Sequence, residues 1–413
     1  MLDIKFIREN IELVKQNCVN RRAKVDLDQL LVLDEERRAL TQEIDTLRGQ
    51  RNTTSKGKPS DEEITKMREV GESIKNLETS LAKIEAEYTS LLLQVPNLTH
   101  KDSPIGGEED FCVVSTLGTK PEFNFLPLDH ETLLTKRGLI DFERGAKVAG
   151  AKFYFLKNDL VRLNQAMIAY GMDIVTAHGF ELLETPDLAK NSILEGIGFN
   201  PRGTETQVYS IEGTDLSLIG TAEITVGGYH KDEILDLSIG PKKYVALSHC
   251  FRTEAGAYGR ESKGLYRVHQ FTKLEMFIYC KPEDSEKLHQ ELLAIEQEIC
   301  NGLDLHYRVI DIASGDLGGP AYRKYDLEAW MTMKDGGFGE ITSTSNCTDY
   351  QSRRLNIKYK TAEGKNEFVH TLNGTAVVTS RFPIALVEQN QQADGLIKVP
   401  EVLQKYMGGK ESI

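Results

Sequence analysis

The chain has 413 residues, too many for one ordinary core, so two or more domains are expected. Its residues are 27% charged and 40% hydrophobic, a globular composition, and its net charge of -13 argues against nonspecific nucleic-acid binding without excluding a local basic patch. No stretch approaches the ~18 apolar residues of a membrane span, and the start MLDIKFIRENIELV mixes acids into an amphipathic pattern unlike a secretion signal, so a cytoplasmic protein is expected.

The composition changes near residue 100. Residues 1–100 hold three of the 34 glycines, and their only aromatics are Phe6 and Tyr88. They carry 16 basic against 18 acidic residues, leaving most of the negative charge to the remainder. Residues 3–17 read as a short amphipathic helix. Leu30, Leu33, Leu40, Ile44 and Leu47 then recur at spacings of three and four, with Arg37 at one seam position. Ile64, Met67, Val70, Ile74, Leu77, Leu81, Ile84, Tyr88 and Leu91 repeat the pattern, the seam of a coiled coil. Between them, Asn52–Ser60 contains Gly57 and Pro59 and cannot continue a helix; Ser60 can cap the second limb, with Glu63 three residues on. Two such limbs, about 26–95, predict an antiparallel hairpin roughly 40 Å long. Arg21, Arg22, Lys24, Arg37, Arg38, Arg48, Arg51, Lys56 and Lys58 concentrate along one limb and the tip. Alone, a near-neutral coiled coil is most often a dimerisation device with a solvated charged face. Val95-Pro96-Asn97 ends the hairpin, and Lys101–Asp110 reads as a linker.

After residue 120, helices and strands mix. Helices are predicted over 158–177, 283–302 and 382–389. Strands are predicted at GFELLETPDL and over 244–254, 264–279, 330–333, 338–343 and 367–372. Short connections between consecutive strands indicate an α+β domain on a mainly antiparallel sheet flanked by helices. No glycine-rich phosphate loop stands in a strand-to-helix context. Cys18, Cys112, Cys250, Cys280, Cys300 and Cys347 include no CxxC pair, so free thiols are expected and no zinc site.

The chemistry concentrates in FRTEAGAYGRESKGLYRVHQFTKLEMF, residues 251–277. On a strand, Arg252 and Glu254 share a face, and so do Arg267, His269, Phe271, Lys273 and Glu275 on the returning strand. A solvated hairpin can carry these charges, but a ring among them calls for something to stack on. Guanidinium, ring and carboxylate together suit a ligand with phosphates, a planar base and an amine.

FRTEAG…RVHQFTKLEMF resembles the second signature of class II aminoacyl-tRNA synthetases, and Gly374–Glu388 (GTAVVTSRFPIALVE) resembles the third. Thr221-Ala222-Glu223, Glu340–Arg354, Leu372–Thr375 and the 391–403 stretch resemble, within that class, the bacterial-type seryl-tRNA synthetase family over the whole chain. The resemblance implies a tRNA-binding domain over 1–100 and a catalytic domain over 101–413. It implies a homodimer on a six- to seven-stranded antiparallel sheet. It implies that L-serine and ATP give seryl-adenylate and pyrophosphate, and that the seryl group moves to the terminal adenosine of tRNA(Ser), with tRNA(Sec) a further candidate. In that reading Arg252 holds the α-phosphate, Glu254 reads the adenine amine, and Phe271 and Arg381 cover its two faces. Thr253, Val268, Ile341 and Thr342 contact the nucleotide. Glu340 and Ser343 offer oxygens to Mg²⁺ on the phosphates. Thr221, Ala222, Glu223, Glu275 and Thr375 surround serine. The arm would grip tRNA by shape and phosphate contacts. Phe382-Pro383, Gln389 and the 197–203 segment depart from the usual pattern. Three rivals stand beside this reading: a serine-activating relative that loads another carrier, a non-catalytic paralogue, and, more weakly, another class II synthetase.

Overall fold

A computed structural model describes residues 1–54, 60–199, 207–254 and 263–413, apart from the side chains of Thr53, Thr54 and Glu63. The chain forms two compact units, Met1–Leu98 and Thr99–Ile413.

In the first unit, the amphipathic start is two helices, α1 (Ile4–Glu9) and α2 (Ile11–Asn20), broken at Asn10. The two limbs are α3 (Leu27–Thr54) and α4 (Asp61–Gln94). Asp26 accepts from the Gln29 N–H at 2.9 Å and caps α3; Ile64 N–H makes the first α4 bond to the Ser60 carbonyl. Gly57, Pro59, Lys56 and Lys58 lie outside the described residues. Burial fades along the seam. Leu30 and Leu33 are buried with Ile7, Val14 and Tyr88 near the base, whereas Ile64, in the first turn of α4, is 37% exposed. At the base, four helices share a core; further out, only two helices face each other. Asp34 departs from the mostly solvated charge pattern. It is fully buried, and Arg37 (3.1 Å), Arg38 (3.2 Å) and Arg8 (3.4 Å) close around it. Arg37 also lies over the Tyr88 ring at 4.8 Å. Arg21 is buried as well, so part of the basic series is engaged in folding, while Arg22, Lys24 and Arg51 are exposed.

The second unit is built on a sheet of eight strands: β1 (Cys112–Leu117), β2 (Glu181–Glu184), β3 (Lys242–Phe251), β4 (Gln270–Cys280), β5 (Tyr307–Asp311), β6 (Arg323–Met331), β7 (Gly337–Asn346) and β8 (His370–Val378). Their order is β1-β5-β6-β7-β8-β4-β3-β2, antiparallel throughout except for the parallel β2–β3 pair at one edge. The sheet thus exceeds the six to seven strands that the resemblance implies, and β1 and β5 are not among the strands read from the sequence. Helices α5 (His130–Lys136), α6 (Asp159–Ala177), α7 (Ala222–Gly228), α8 (Ser285–Gly302) and α9 (Phe382–Gln389) pack around it. Leu160, Leu163 and Met167 of α6 and Leu292, Ile295 and Ile299 of α8 join Leu274, Met276 and Val377 in the main core. Gly171 lets α6 approach closely: a Cβ there would meet Val377 at 2.7 Å. Pro383 sits in the first turn of α9, where its missing N–H costs no helix bond.

Strand bounds shift elsewhere too (330–333 falls at the end of a strand over 323–331, and 367–372 spans two strands), but two shifts bear on the site. The strand predicted to run to Glu254 ends at Phe251, and the returning strand begins at Gln270 rather than Gly264. Glu254 has φ +49° and Gly264 φ +56°, neither compatible with extended backbone. Arg252, Glu254, Arg267 and His269 therefore lie beyond the ladder, not on a strand face.

Candidate active site

One cleft of about 240 Å³ opens on the face of the sheet opposite α6 and α8. Its floor comes from β4, β8 and β7, the central strands. On β4, alternation brings Phe271, Lys273 and Glu275 into it together. The other two strands use a different device. Glu340 pairs with Glu328 and Thr342 with Leu327, so Ile341 is an extra residue on β7. In a regular strand Glu340 and Ser343, three apart, would point to opposite faces. The bulge turns both into the cleft. A matching bulge at Ala376 on β8 lets both Thr375, opposite Glu275, and Val378, opposite Lys273, line the same cleft.

At one end, Lys273 forms an ion pair with Glu275, and both are nearly buried. Burial pushes the Glu275 carboxyl up to about 7, against the pull of the Lys273 ammonium. The Lys273 ammonium also donates to the Thr221 hydroxyl at 3.3 Å. That hydroxyl accepts from the Glu223 N–H at 3.2 Å, capping α7, so Thr221 both shapes the helix start and faces the cleft. Glu223 accepts from Gln351 at 2.8 Å and Asn373 at 3.1 Å. Burial raises its pKa too, with the Gln351 bond and the Lys273 and Arg252 charges opposing.

At the other end, the Arg381 guanidinium lies 4.2 Å over the Tyr266 ring. Its Nε donates to the Tyr266 carbonyl at 3.0 Å and an Nη to the Glu340 carbonyl at 2.7 Å. Burial works against the Glu340 charge, but Arg381 and Lys324 outweigh it and hold the carboxyl below its usual range. Arg252 stands between the two ends. Its Nε donates to the Gly220 carbonyl at 3.2 Å, and its guanidinium lies 5.3 Å from the Phe271 ring centre. Arg267 reaches Glu254 at 3.4 Å.

Of the residues singled out from sequence, Thr221, Glu223, Arg252, Glu254, Val268, Phe271, Glu275, Glu340, Ile341, Thr342, Ser343, Thr375 and Arg381 line this cleft. Ala222 does not; it is buried at the first position of α7. Thr253 does not either, its N–H donating to the Gln207 carbonyl at 3.1 Å. Asn200–Gly203 lie outside the described residues. Lys273, Tyr266, Ser345 and Asn373 line the cleft without having been assigned a role. Alternation from Phe271 to Glu275 already put Lys273 on the right face. Tyr266 arrives through a turn that no periodicity marks. Among the described residues, no group of three or more His, Cys, Asp and Glu side chains could hold a metal ion alone. Among the same residues, no helix is long and apolar enough to cross a membrane.

Such a sheet, with an arginine, a ring and carboxylates on one face, is the core of a class II tRNA synthetase. Residues 207–390 match the family model of the tRNA synthetase class II core domain (G, H, P, S and T), and residues 1–99 match that of the seryl-tRNA synthetase N-terminal domain. The chain is 54% identical to the serine–tRNA ligase of Treponema denticola, over 99% of each chain. It is 52% identical to that of Dictyoglomus thermophilum, over 100% of this chain and 99% of the other. It superimposes with a TM-score of 0.91 on the seryl-tRNA synthetase of Pyrococcus horikoshii solved with ATP, at 38% identity, covering 100% of this chain and 99% of that one. The chain belongs to the seryl-tRNA synthetase family.

Proposed function

We propose that this protein is a serine–tRNA ligase: it activates L-serine with ATP and transfers the seryl group to the terminal adenosine of tRNA(Ser). The observation that carries this reading is the two-ended cleft, with Lys273, Glu275, Thr221 and Thr375 at one end, Arg381, Tyr266 and Glu340 at the other, and Arg252 between. In the first step a serine carboxylate oxygen bonds to the α-phosphorus as the bond to the bridging oxygen breaks and pyrophosphate leaves. In the second, a ribose hydroxyl of the tRNA attacks the seryl carbonyl carbon and AMP leaves. Neither step needs a protein nucleophile, so positioning and charge stabilisation dominate.

Arg252, already braced by the Gly220 carbonyl, presents its remaining donors to the α-phosphate, where negative charge builds. Phe271 and Arg381 receive the two faces of adenine, and Glu254 and the Val268 backbone its edge. Ionised Glu275 takes the serine ammonium. Thr375 and Glu223 contact the serine side, so alanine, lacking the hydroxyl, leaves their polar groups unpaired. Glu340 and Ser343 fit a Mg²⁺ ion: they are hard oxygen donors on one face, Glu340 is held ionised, and two protein oxygens leave the remaining positions to phosphate and water. Such an ion would neutralise phosphate charge.

Residues 1–100 form the tRNA-binding domain in this reading, with Arg22, Lys24 and Arg51 exposed for phosphates, and 101–413 the catalytic domain. A homodimer working in the cytoplasm completes the proposal. ATP–pyrophosphate exchange across all twenty amino acids tests it: exchange with serine alone is expected, and exchange led by another amino acid refutes the serine assignment.

A further inference from the structure

His130 is fully buried at the start of α5, far in sequence from every residue of the cleft, and has no part in the chemistry above. Its hydrogen bonds define its state. The Leu265 N–H donates to Nε2 at 3.0 Å, so that nitrogen is an acceptor. The proton is then on Nδ1, which donates to Glu388 Oε1 at 2.8 Å. The same oxygen accepts from the His130 N–H at 2.8 Å, and Oε2 accepts from the Met333 N–H at 3.0 Å. Glu388, on α9 and also fully buried, thus fixes the ring and its tautomer.

The ring in turn fixes a turn. Gly264 lies against it so closely that a Cβ would meet Nε2 at 2.2 Å. Lys263, one residue earlier, reaches Asp129 at 2.8 Å, and the Tyr266 N–H returns to the Lys263 carbonyl at 3.2 Å. Two neighbouring residues, Asp129 and His130, therefore hold the start and the middle of a four-residue turn. That turn presents the Tyr266 carbonyl and ring, which aim the Arg381 guanidinium together with the Glu340 carbonyl. Thr221, Glu275 and Thr375, at the other end of the cleft, come from other elements.

We infer that His130, clamped by Glu388, is a positioning residue for the nucleotide: it sets the Lys263–Tyr266 turn and through Tyr266 the orientation of Arg381. The inference rests on the reading of the cleft as an ATP and serine site. It separates from simple packing because it predicts a loss at one end of the cleft only.

The test is ATP–pyrophosphate exchange by the full-length protein with each substrate varied in turn. His130→Asn keeps a donor for Glu388 and removes the acceptor for Leu265. Gly264→Ala breaks the same contact from the other side and leaves the His130–Glu388 pair in place. Both variants should raise KM for ATP about tenfold, the scale of one hydrogen bond, and leave KM for serine within about twofold of wild type. If His130→Asn does not fold, Gly264→Ala decides. An unchanged KM for ATP, an equal rise in both KM values, or loss of fold in both variants overturns the inference. A wild-type protein that shows no serine-dependent exchange sinks the reading beneath it as well, whereas active wild type with unaltered variants sinks this inference alone.

Discussion

On the arm, Arg48 meets Glu78 at 2.8 Å with the two side chains 49% and 46% exposed. In the cleft, Lys273 meets Glu275 with 11% and 1% exposed. The contacts look alike and the physics differs. Water and salt screen the first pair, and such pairs contribute between zero and about 1 kcal/mol. The second pair has lost its water, so each charge depends on the other, and the two side chains are held against each other before substrate arrives. The exposed pairs of the arm can exchange partners at little cost; the cleft cannot break its own pair without leaving a buried charge unpaired.

The largest effects should come from the cleft. If Arg252 holds the α-phosphate as proposed, Arg252→Ala should lower serine-dependent exchange by about 10³ or more with tRNA binding retained. Gel-shift and exchange assays on one preparation check this; undiminished exchange refutes the phosphate role. The complementary cut, deletion of residues 27–94, should leave exchange intact and remove tRNA charging. Normal charging by the shortened protein would end the division of labour between the units.

A smaller effect tests the buried pair. Lys273→Met leaves Glu275 with burial and without its nearest cation, so the carboxyl keeps its proton near neutral pH. Serine activation, measured as kcat/KM, should drop about a hundredfold at pH 7, on the scale of an uncompensated buried partner. The unaltered protein should show the milder form of this. With Glu275 at about 7 and the ionised form required for the serine ammonium, kcat/KM for serine should rise roughly tenfold between pH 6 and 8, and Glu275→Gln should flatten that rise. The stability term has the opposite sign. The folded state keeps a proton that the unfolded carboxyl releases near 4.5, so this group's contribution declines as pH climbs from 4.5 to about 7.

Much of this was legible in the sequence where a period carried it. The seams of α3 and α4 follow spacings of three and four, and Phe271, Lys273 and Glu275 share a face because strands alternate. The family signatures also brought together residues from distant segments that period alone could not. What escaped depends on broken periods. No pattern reveals that Ile341 and Ala376 are extra residues, yet those bulges bring Ser343 to the side of Glu340 and Val378 to that of Thr375. Arg252 and Glu254 read as strand residues and instead follow the strand's end, where Glu254 adopts positive φ. Nor does a basic series disclose which members are engaged: Arg37 and Arg38 close on Asp34, a neighbour on their own helix.

Asp34 also supplies the control that sharpens the comparison, because it is a buried carboxylate within the mostly solvated charge pattern of the arm unit. Glu78→Gln cuts only the exposed Arg48 pair, and the thermal midpoint should move by no more than about 0.5 kcal/mol allows, roughly 1–2 °C in a chain of this size. Asp34→Asn keeps the shape but strips the charge from beneath three guanidinium groups, so a loss of about 2 kcal/mol is expected from the same calorimetric measurement. If instead the two substitutions cost the same, burial is not what separates strong pairs from weak ones here, and the contrast drawn between Arg48–Glu78 and Lys273–Glu275 loses its physical basis.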